Sequence, residues 1–261
     1  MNPNLTEIAY ILDRSGSMQP MQEPAVAAFN AFVKAQLDVP GDARLTLIQF
    51  DDAYEVPIAA CPVQDVRELT AATYTPRGST ALLDAIGRTV KDIDRRIEAL
   101  SDAEKPGKVI LAIFTDGEEN ASHEYTAKHI SDLIRLYRDE KGWEFLFLAA
   151  NQDAIASAGA MHMNAHLSAN VTFSAEAIRS TGKAMSRKVR AMRMKSSEMM
   201  DAHLSGNVSF CMEGVKSTGN AMARKVRAMR MKAGGTMDAQ ALEDDAKSMN
   251  DIVKEEEGKD T

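Results

Sequence analysis

Residues 8–18 read Ile-Ala-Tyr-Ile-Leu-Asp-Arg-Ser-Gly-Ser-Met, and this stretch decides the fold. The apolar run Ile8–Leu12 suits a strand buried on both faces of a parallel sheet. It leads straight into Asp13-x-Ser15-x-Ser17, which puts three oxygen side chains on the loop at the strand's C-terminal end. Open α/β sheets keep their ligand sites at that end. A carboxylate and two hydroxyls are hard donors of the kind Mg²⁺ prefers. The stretch therefore predicts a divalent metal at the top of the first strand. Alone, the pattern is weak: Asp-x-Ser-x-Ser arises by chance in roughly one chain in ten at this length. Asp and Ser are also good helix N-caps.

The rest of the chain supplies the context. Residues 22–38 read as a helix, with Ala25, Ala28, Phe29, Phe32 and Val33 on one face, ended by Pro40-Gly41. Leu45–Phe50 reads as a second strand. Asp51-Asp52 makes a turn, and residues 53–60 form its hairpin partner. A long connection over residues 61–79 ends in Thr75-Pro-Arg-Gly-Ser79, and Thr80 opens a helix that runs to Leu100. Val109–Phe114 is a strongly apolar strand running into Thr115-Asp116-Gly117. Tyr125–Asp139 reads as a helix and Trp143–Leu148 as another strand. This order predicts a doubly wound, mostly parallel, Rossmann-like α/β sheet flanked by helices.

From about residue 163 the chain repeats itself. Residues 167–195 and 204–232 match at an offset of 37 residues, with roughly two thirds of positions identical. Each unit reads as a short strand, Asn170–Phe173 or Asn207–Phe210, followed by a helix. Ile178, Thr181, Met185, Val189 and Met192 line one face of the first helix; Val215, Thr218, Met222, Val226 and Met229 do so in the second. The opposite faces are basic and are expected to be solvated. The predicted organisation is a domain over residues 1–195, a second strand-helix copy over 196–232, and an acidic, mobile tail over 233–261. The first copy should supply the last edge strand and its covering helix. The second has no obvious place to bury the same apolar face. Extra packing on that edge is the expectation, with pairing to the first copy or exchange between molecules as alternatives.

Composition bounds the function. The 261 residues are 44% hydrophobic, enough for one sizeable α/β core plus an appendage. The net charge of −7 gives no general drive toward nucleic acid. Cys61 and Cys211 lie far apart, without redox spacing. With no legible signal peptide or membrane span, the expectation is a reduced, cytoplasmic protein.

In a doubly wound sheet the first strand and the strand ending at Asp116 are central neighbours, with the switch point between them. The loop before Thr80 lies above them. Asp13, Ser15, Ser17, Thr80 and Asp116 can therefore converge, and two carboxylates with three hydroxyls suit Mg²⁺. Leu-Asp-Arg-Ser-Gly-Ser-Met, Gly-Ser-Thr-Ala-Leu and Phe-Thr-Asp-Gly-Glu-Glu-Asn together resemble a von Willebrand factor A domain with its metal-ion-dependent adhesion site. The chain is most similar to small stand-alone bacterial and phage members, which also carry Trp-Glu-Phe-Leu-Phe-Leu followed by Ala-Asn-Gln-Asp-Ala. The resemblance covers residues 5 to about 195. It implies those same five residues as the set holding Mg²⁺ or Mn²⁺, a protein partner whose Asp or Glu completes the coordination, and no catalysis.

Arg14, Asp84, Glu118, Glu119 and Asn120 flank this set as candidates for supporting it or for partner contact. Solvated-loop, helix-capping and plain helical roles are the alternatives. His162 and His166 have zinc-ligand spacing on a helix but no evident third ligand. His123 and His129 read as surface residues. A metal-dependent phosphoester hydrolase is the first rival function. No P-loop is present, and Arg14 and Arg77 are the cations near the site that could hold a phosphate. Nucleic-acid binding through the duplicated basic helices is the second rival. The lack of interleaved aromatics argues against it.

Overall fold

β1 spans Asn2–Asp13, and every residue from Leu5 onward is buried. Burial on both faces is what a central parallel strand requires. Its alternating side chains feed two cores. Tyr10 and Leu12 join Phe29 and Phe32 on one face; Ala9 and Ile11 join Ile86, Val90, Ile130 and Ile134 on the other. The Tyr10 ring meets Phe29 and Phe32 edge-on, at centroid distances of 5.3 and 5.0 Å, a favoured aromatic geometry.

The computed structural model describes residues 1–116, 119–150, 168–171, 178, 182–194 and 247. After β1 come α1 (Gln22–Leu37), β2 (Asp42–Phe50), β3 (Tyr54–Pro62), α2 (Leu82–Glu98), β4 (Pro106–Thr115), α3 (Ala127–Lys141), β5 (Glu144–Ala150) and β6 (Ser168–Val171). A further helix, α4, covers residues 182–194. The strands form one sheet in the order β3-β2-β1-β4-β5-β6. β3 runs antiparallel to β2, and every other neighbouring pair is parallel. This is the doubly wound α/β sheet read from the sequence, with its switch point between β1 and β4.

Several boundaries differ from the sequence reading, each for a physical reason. β1 begins six residues before Ile8, because polar residues also occupy the buried sheet. Glu7, 2% exposed, accepts hydrogen bonds from Arg96 at 2.7 Å and Thr46 at 3.3 Å. α3 starts after Thr126, whose hydroxyl accepts from the His129 N–H while His129 Nδ1 accepts from the Thr126 N–H. His129 is thus part of a capping box. α3 ends at Gly142, which takes the left-handed conformation (φ 67°) common at helix C-termini.

The first copy of the repeat supplies β6, paired parallel to β5, four residues long and starting two residues before the predicted strand. It also supplies α4, whose Met185, Val189 and Met192 enter the core beside Phe29 and Phe32. The expectation of a solvated basic face holds for Lys183, which is exposed, and is corrected for two other residues. Lys188 and Arg193 are both buried. Arg193 donates to the Gln36 carbonyl at 2.8 Å and the Gly41 carbonyl at 3.0 Å, closing the C-terminal end of α1. The second copy, His162, His166, Cys211 and, residue 247 apart, the tail lie outside the described residues.

Burial raises the pKa of Glu7 even though Arg96 and Thr46 act in the opposite direction. Arg96→Met leaves that carboxylate without its cation and is expected to lower stability by about 2–3 kcal/mol at neutral pH. Because the folded pKa is raised, Glu7 is readily neutralised, so the loss shrinks toward pH 5. Urea unfolding of both proteins at the two pH values checks this.

Candidate metal centre

The register of β1 with β4 sets Leu12 opposite Phe114, so Asp13 is level with Thr115 and Asp116 follows one residue beyond, both carboxylates at the C-terminal edge of the sheet. Asp13 is fully buried. Its Oδ1 accepts the Ser15 N–H at 2.7 Å, and its Oδ2 accepts the Thr115 hydroxyl at 2.6 Å. Its carbonyl accepts the Tyr74 hydroxyl. The hydroxyls of Ser15 and Ser17 lie 3.0 Å apart, and Ser17 donates to Asp116 Oδ1 at 2.9 Å. Four of the five predicted ligands therefore form one compact group.

Asp116 Oδ2 is buried and has no hydrogen-bond partner among the described residues. Buried polar atoms are rarely left so. Burial pushes the Asp13 carboxyl up to about 6, against the pull of the Thr115 and Ser15 hydrogen bonds; nearby Asp116 adds a smaller push. Burial also raises Asp116, with Ser17 opposing. Two desolvated neighbouring carboxylates call for a cation. Among the described residues no group of three His, Cys, Asp or Glu side chains is placed to hold a metal. The donor set is instead carboxylate plus hydroxyl, which suits a hard ion such as Mg²⁺ or Mn²⁺. The residues fit such a group.

Thr80, the fifth predicted ligand, is buried just ahead of α2, which begins at Leu82 rather than at Thr80. Its N–H donates to Asn120 Oδ1 at 2.9 Å, and its carbonyl accepts the N–H groups of Asn120 and Ala121. The loop that carries it is tied to the Asp13 loop: Arg77 N–H donates to the Arg14 carbonyl at 2.7 Å, and Gly16 N–H to the Gly78 carbonyl at 3.1 Å. Gly78 has φ 65°, and a Cβ there would lie 1.9 Å from Asp52 Oδ1. The left-handed backbone favours glycine at that crossing, and any larger residue would also have to push the Asp52 carboxylate aside.

The flanking candidates have other work. Asp84 accepts the N–H groups of His123, Glu124 and Tyr125, clasping the loop after β4 to the start of α2. Glu119 accepts from Leu83, Ala121 and Ser122. Asn120 holds Thr80. Glu118 lies outside the described residues. Arg14, 5% exposed, donates to Asp51 at 3.1 Å and to Glu55 at 2.7 Å. Arg77 pairs with the same two carboxylates at 2.9 and 2.8 Å. Both cations are thus already paired with carboxylates, which weakens the hydrolase alternative.

Sequence reasoning passed over Thr115, Tyr74, Asp51 and Glu55 as parts of the site. Thr115 had a signal, since its place beside Asp116 sets it level with Asp13 in the neighbouring strand. Asp51 and Glu55 reach the site across a hairpin, and no spacing rule reveals that.

No protein-family model matches the chain, and no curated protein matches it. Solved structures do. Proximal thread matrix protein 1 from the mussel byssus aligns with 71% of this chain and 46% of its own, at 15% identity and TM-score 0.50. Another structure of that protein has a zinc-occupied MIDAS motif. The pilus adhesin SpaC from Lactobacillus rhamnosus GG aligns with 74% of this chain and 31% of its own, at 12% identity and TM-score 0.55. A von Willebrand factor type A protein from Catenulispora acidiphila aligns with 71% and 42%, at 14% identity and TM-score 0.47. The chain has a von Willebrand factor A-like fold. It spans less than half the length of each of these proteins, and identities this low speak to the fold alone.

The raised Asp13 pKa has a sign that can be measured. Its folded value lies above that of an unfolded aspartate, so its contribution favours the metal-free fold at low pH and is lost as pH rises from about 4 to about 6. Relative to wild type, metal-free Asp13→Asn should therefore gain on the order of 3 kcal/mol between pH 4 and pH 7. Denaturant unfolding across that range checks it. A difference that stays constant with pH contradicts it.

Proposed function

We propose that this chain is a divalent-metal-dependent protein-binding module and not an enzyme. The observation that carries the proposal is the unpartnered, buried Asp116 Oδ2 beside a hydroxyl chain that ends on the same carboxylate. Asp13, Ser15, Ser17, Thr80 and Asp116 would hold Mg²⁺ or Mn²⁺. Bound there, the ion supplies a Lewis-acid position for the Asp or Glu carboxylate of a protein partner.

The residues of the chain divide the remaining tasks. Thr115 and the Ser15 N–H orient Asp13. Ser17 fixes one oxygen of Asp116 and leaves the other available. Asp51 and Glu55 tether Arg14 and Arg77, and with them the two loops that carry the hydroxyls. Pre-positioned donors lower the ordering cost of binding. An adhesive or assembly role is part of this proposal; the solved structures with the same fold include a pilus adhesin and a byssal matrix protein. The proposed setting is the reducing cytoplasm, which suits the free thiol of Cys61. Nucleic acid is not the proposed partner, because Lys188 and Arg193 of the basic helix are buried.

Water-proton relaxation of the Mn²⁺-loaded protein tests the open position, with acetate as a minimal carboxylate partner. Acetate is expected to lower the relaxivity saturably by displacing water. The same titration of a Ser17→Ala, Thr80→Ala double variant should show a weaker response. A relaxivity that stays constant as acetate is added to the loaded wild-type protein contradicts carboxylate completion.

A further inference from the structure

α4 fits its seat by more than an apolar stripe. Gly182 packs so closely on α1 that a Cβ would lie 2.6 Å from the Ala28 Cβ. Arg193 reaches across to the carbonyls of Gln36 and Gly41. Lys188 is buried and donates to the Lys247 carbonyl at 3.0 Å. Lys108 of β4 donates to the Met192 carbonyl at 3.0 Å. An arbitrary amphipathic helix would satisfy the apolar contacts and fail the others.

The second copy of the repeat keeps these demands. Among the described residues of the first copy eleven are buried, residue 178 and ten within 182–194, and nine of them carry the same residue 37 positions later. Gly219 stands where Gly182 does, Lys225 where Lys188 does, and Arg230 where Arg193 does. Met222, Val226 and Met229 repeat the apolar face. The two exceptions are Val215 for Ile178 and Ala223 for Ser186. Both are smaller, so neither introduces a clash. Solubility or general amphipathicity would keep the apolar pattern. They would not keep a glycine that only the Ala28 contact needs, or an arginine that fits two particular carbonyls.

We infer that the seat on α1, β4 and β5 is an intramolecular docking surface with two interchangeable occupants, the first copy (residues 168–194) and residues 204–231 of the same chain. One copy completes the sheet and covers the core, and the other is held in reserve. The inference stands independently of the metal reading, since none of the contacts it rests on involves Asp13, Ser15, Ser17, Thr80 or Asp116. Exchange costs little at the described buried positions, where the occupants differ by one methylene and one hydroxyl.

Full-length Met185→Asp, Met222→Asp and the double variant test this. An aspartate at either position bars that copy from the apolar seat, through the desolvation of its charge. Each single variant is expected to melt within about 4 °C of wild type, because the other copy fills the seat. The double variant should melt more than about 10 °C lower. The inference is overturned if Met185→Asp alone melts as low as the double variant, or if Met222→Asp alone does. It is equally overturned if the double variant melts no lower than the singles. Melting of Met185→Asp at several protein concentrations identifies the source of the second occupant. A concentration-independent Tm is expected for a segment of the same chain. A Tm that climbs with concentration means that a neighbouring molecule supplies it, and overturns exchange within one chain.

Discussion

Everything at the top of this sheet depends on two carboxylates brought together by parallel strand pairing. β1 and β4 lie side by side, so Asp13 and Asp116 leave the sheet at neighbouring points and repel one another. Both are desolvated, and both are pushed toward the neutral form. A fold that served stability alone would not bury two neighbouring carboxylates without a compensating cation. This chain instead surrounds them with hydroxyls, which orient the oxygens and leave the charge uncompensated.

The loops that bear those hydroxyls are held by other carboxylates acting as hubs. Asp51 receives both Arg14 and Arg77, one from each loop. Asp84 gathers three successive backbone N–H groups of the loop after β4, and these donors hold its pKa down against desolvation. Glu119 ties the same loop to the first turn of α2. Each hub is satisfied by hydrogen bonds, so each resists displacement by a ligand. Asp116 Oδ2, by contrast, has no such partner among the described residues, and the proposed ion is placed there for that reason.

Much of this was legible in the sequence, because the informative residues are local. An apolar run ending in Asp13-x-Ser15-x-Ser17 announces both a central strand and the loop above it. Val109–Phe114 with Asp116 announces its neighbour. Apolarity misplaced the start of β1, where Glu7 is buried only because Arg96, 89 residues on, reaches it. Periodicity likewise placed Thr80 in the helix, whereas its backbone is held by Asn120 and Ala121 in a later loop. The basic residues of α4 looked solvated for the same reason. Arg193 finds its acceptors at Gln36 and Gly41, which no local pattern connects to it. Long-range polar pairing is the common factor in all three.

The central claim is that the paired carboxylates and their hydroxyls form a site for one divalent cation. Calorimetric titration of Mg²⁺ and of Mn²⁺ into the metal-free protein, with Asp13→Ala titrated in parallel, tests it most directly. The account predicts binding at a single site in the wild-type protein and its loss in the variant. An absence of binding in the wild-type protein, or binding that survives unchanged in Asp13→Ala, would contradict it.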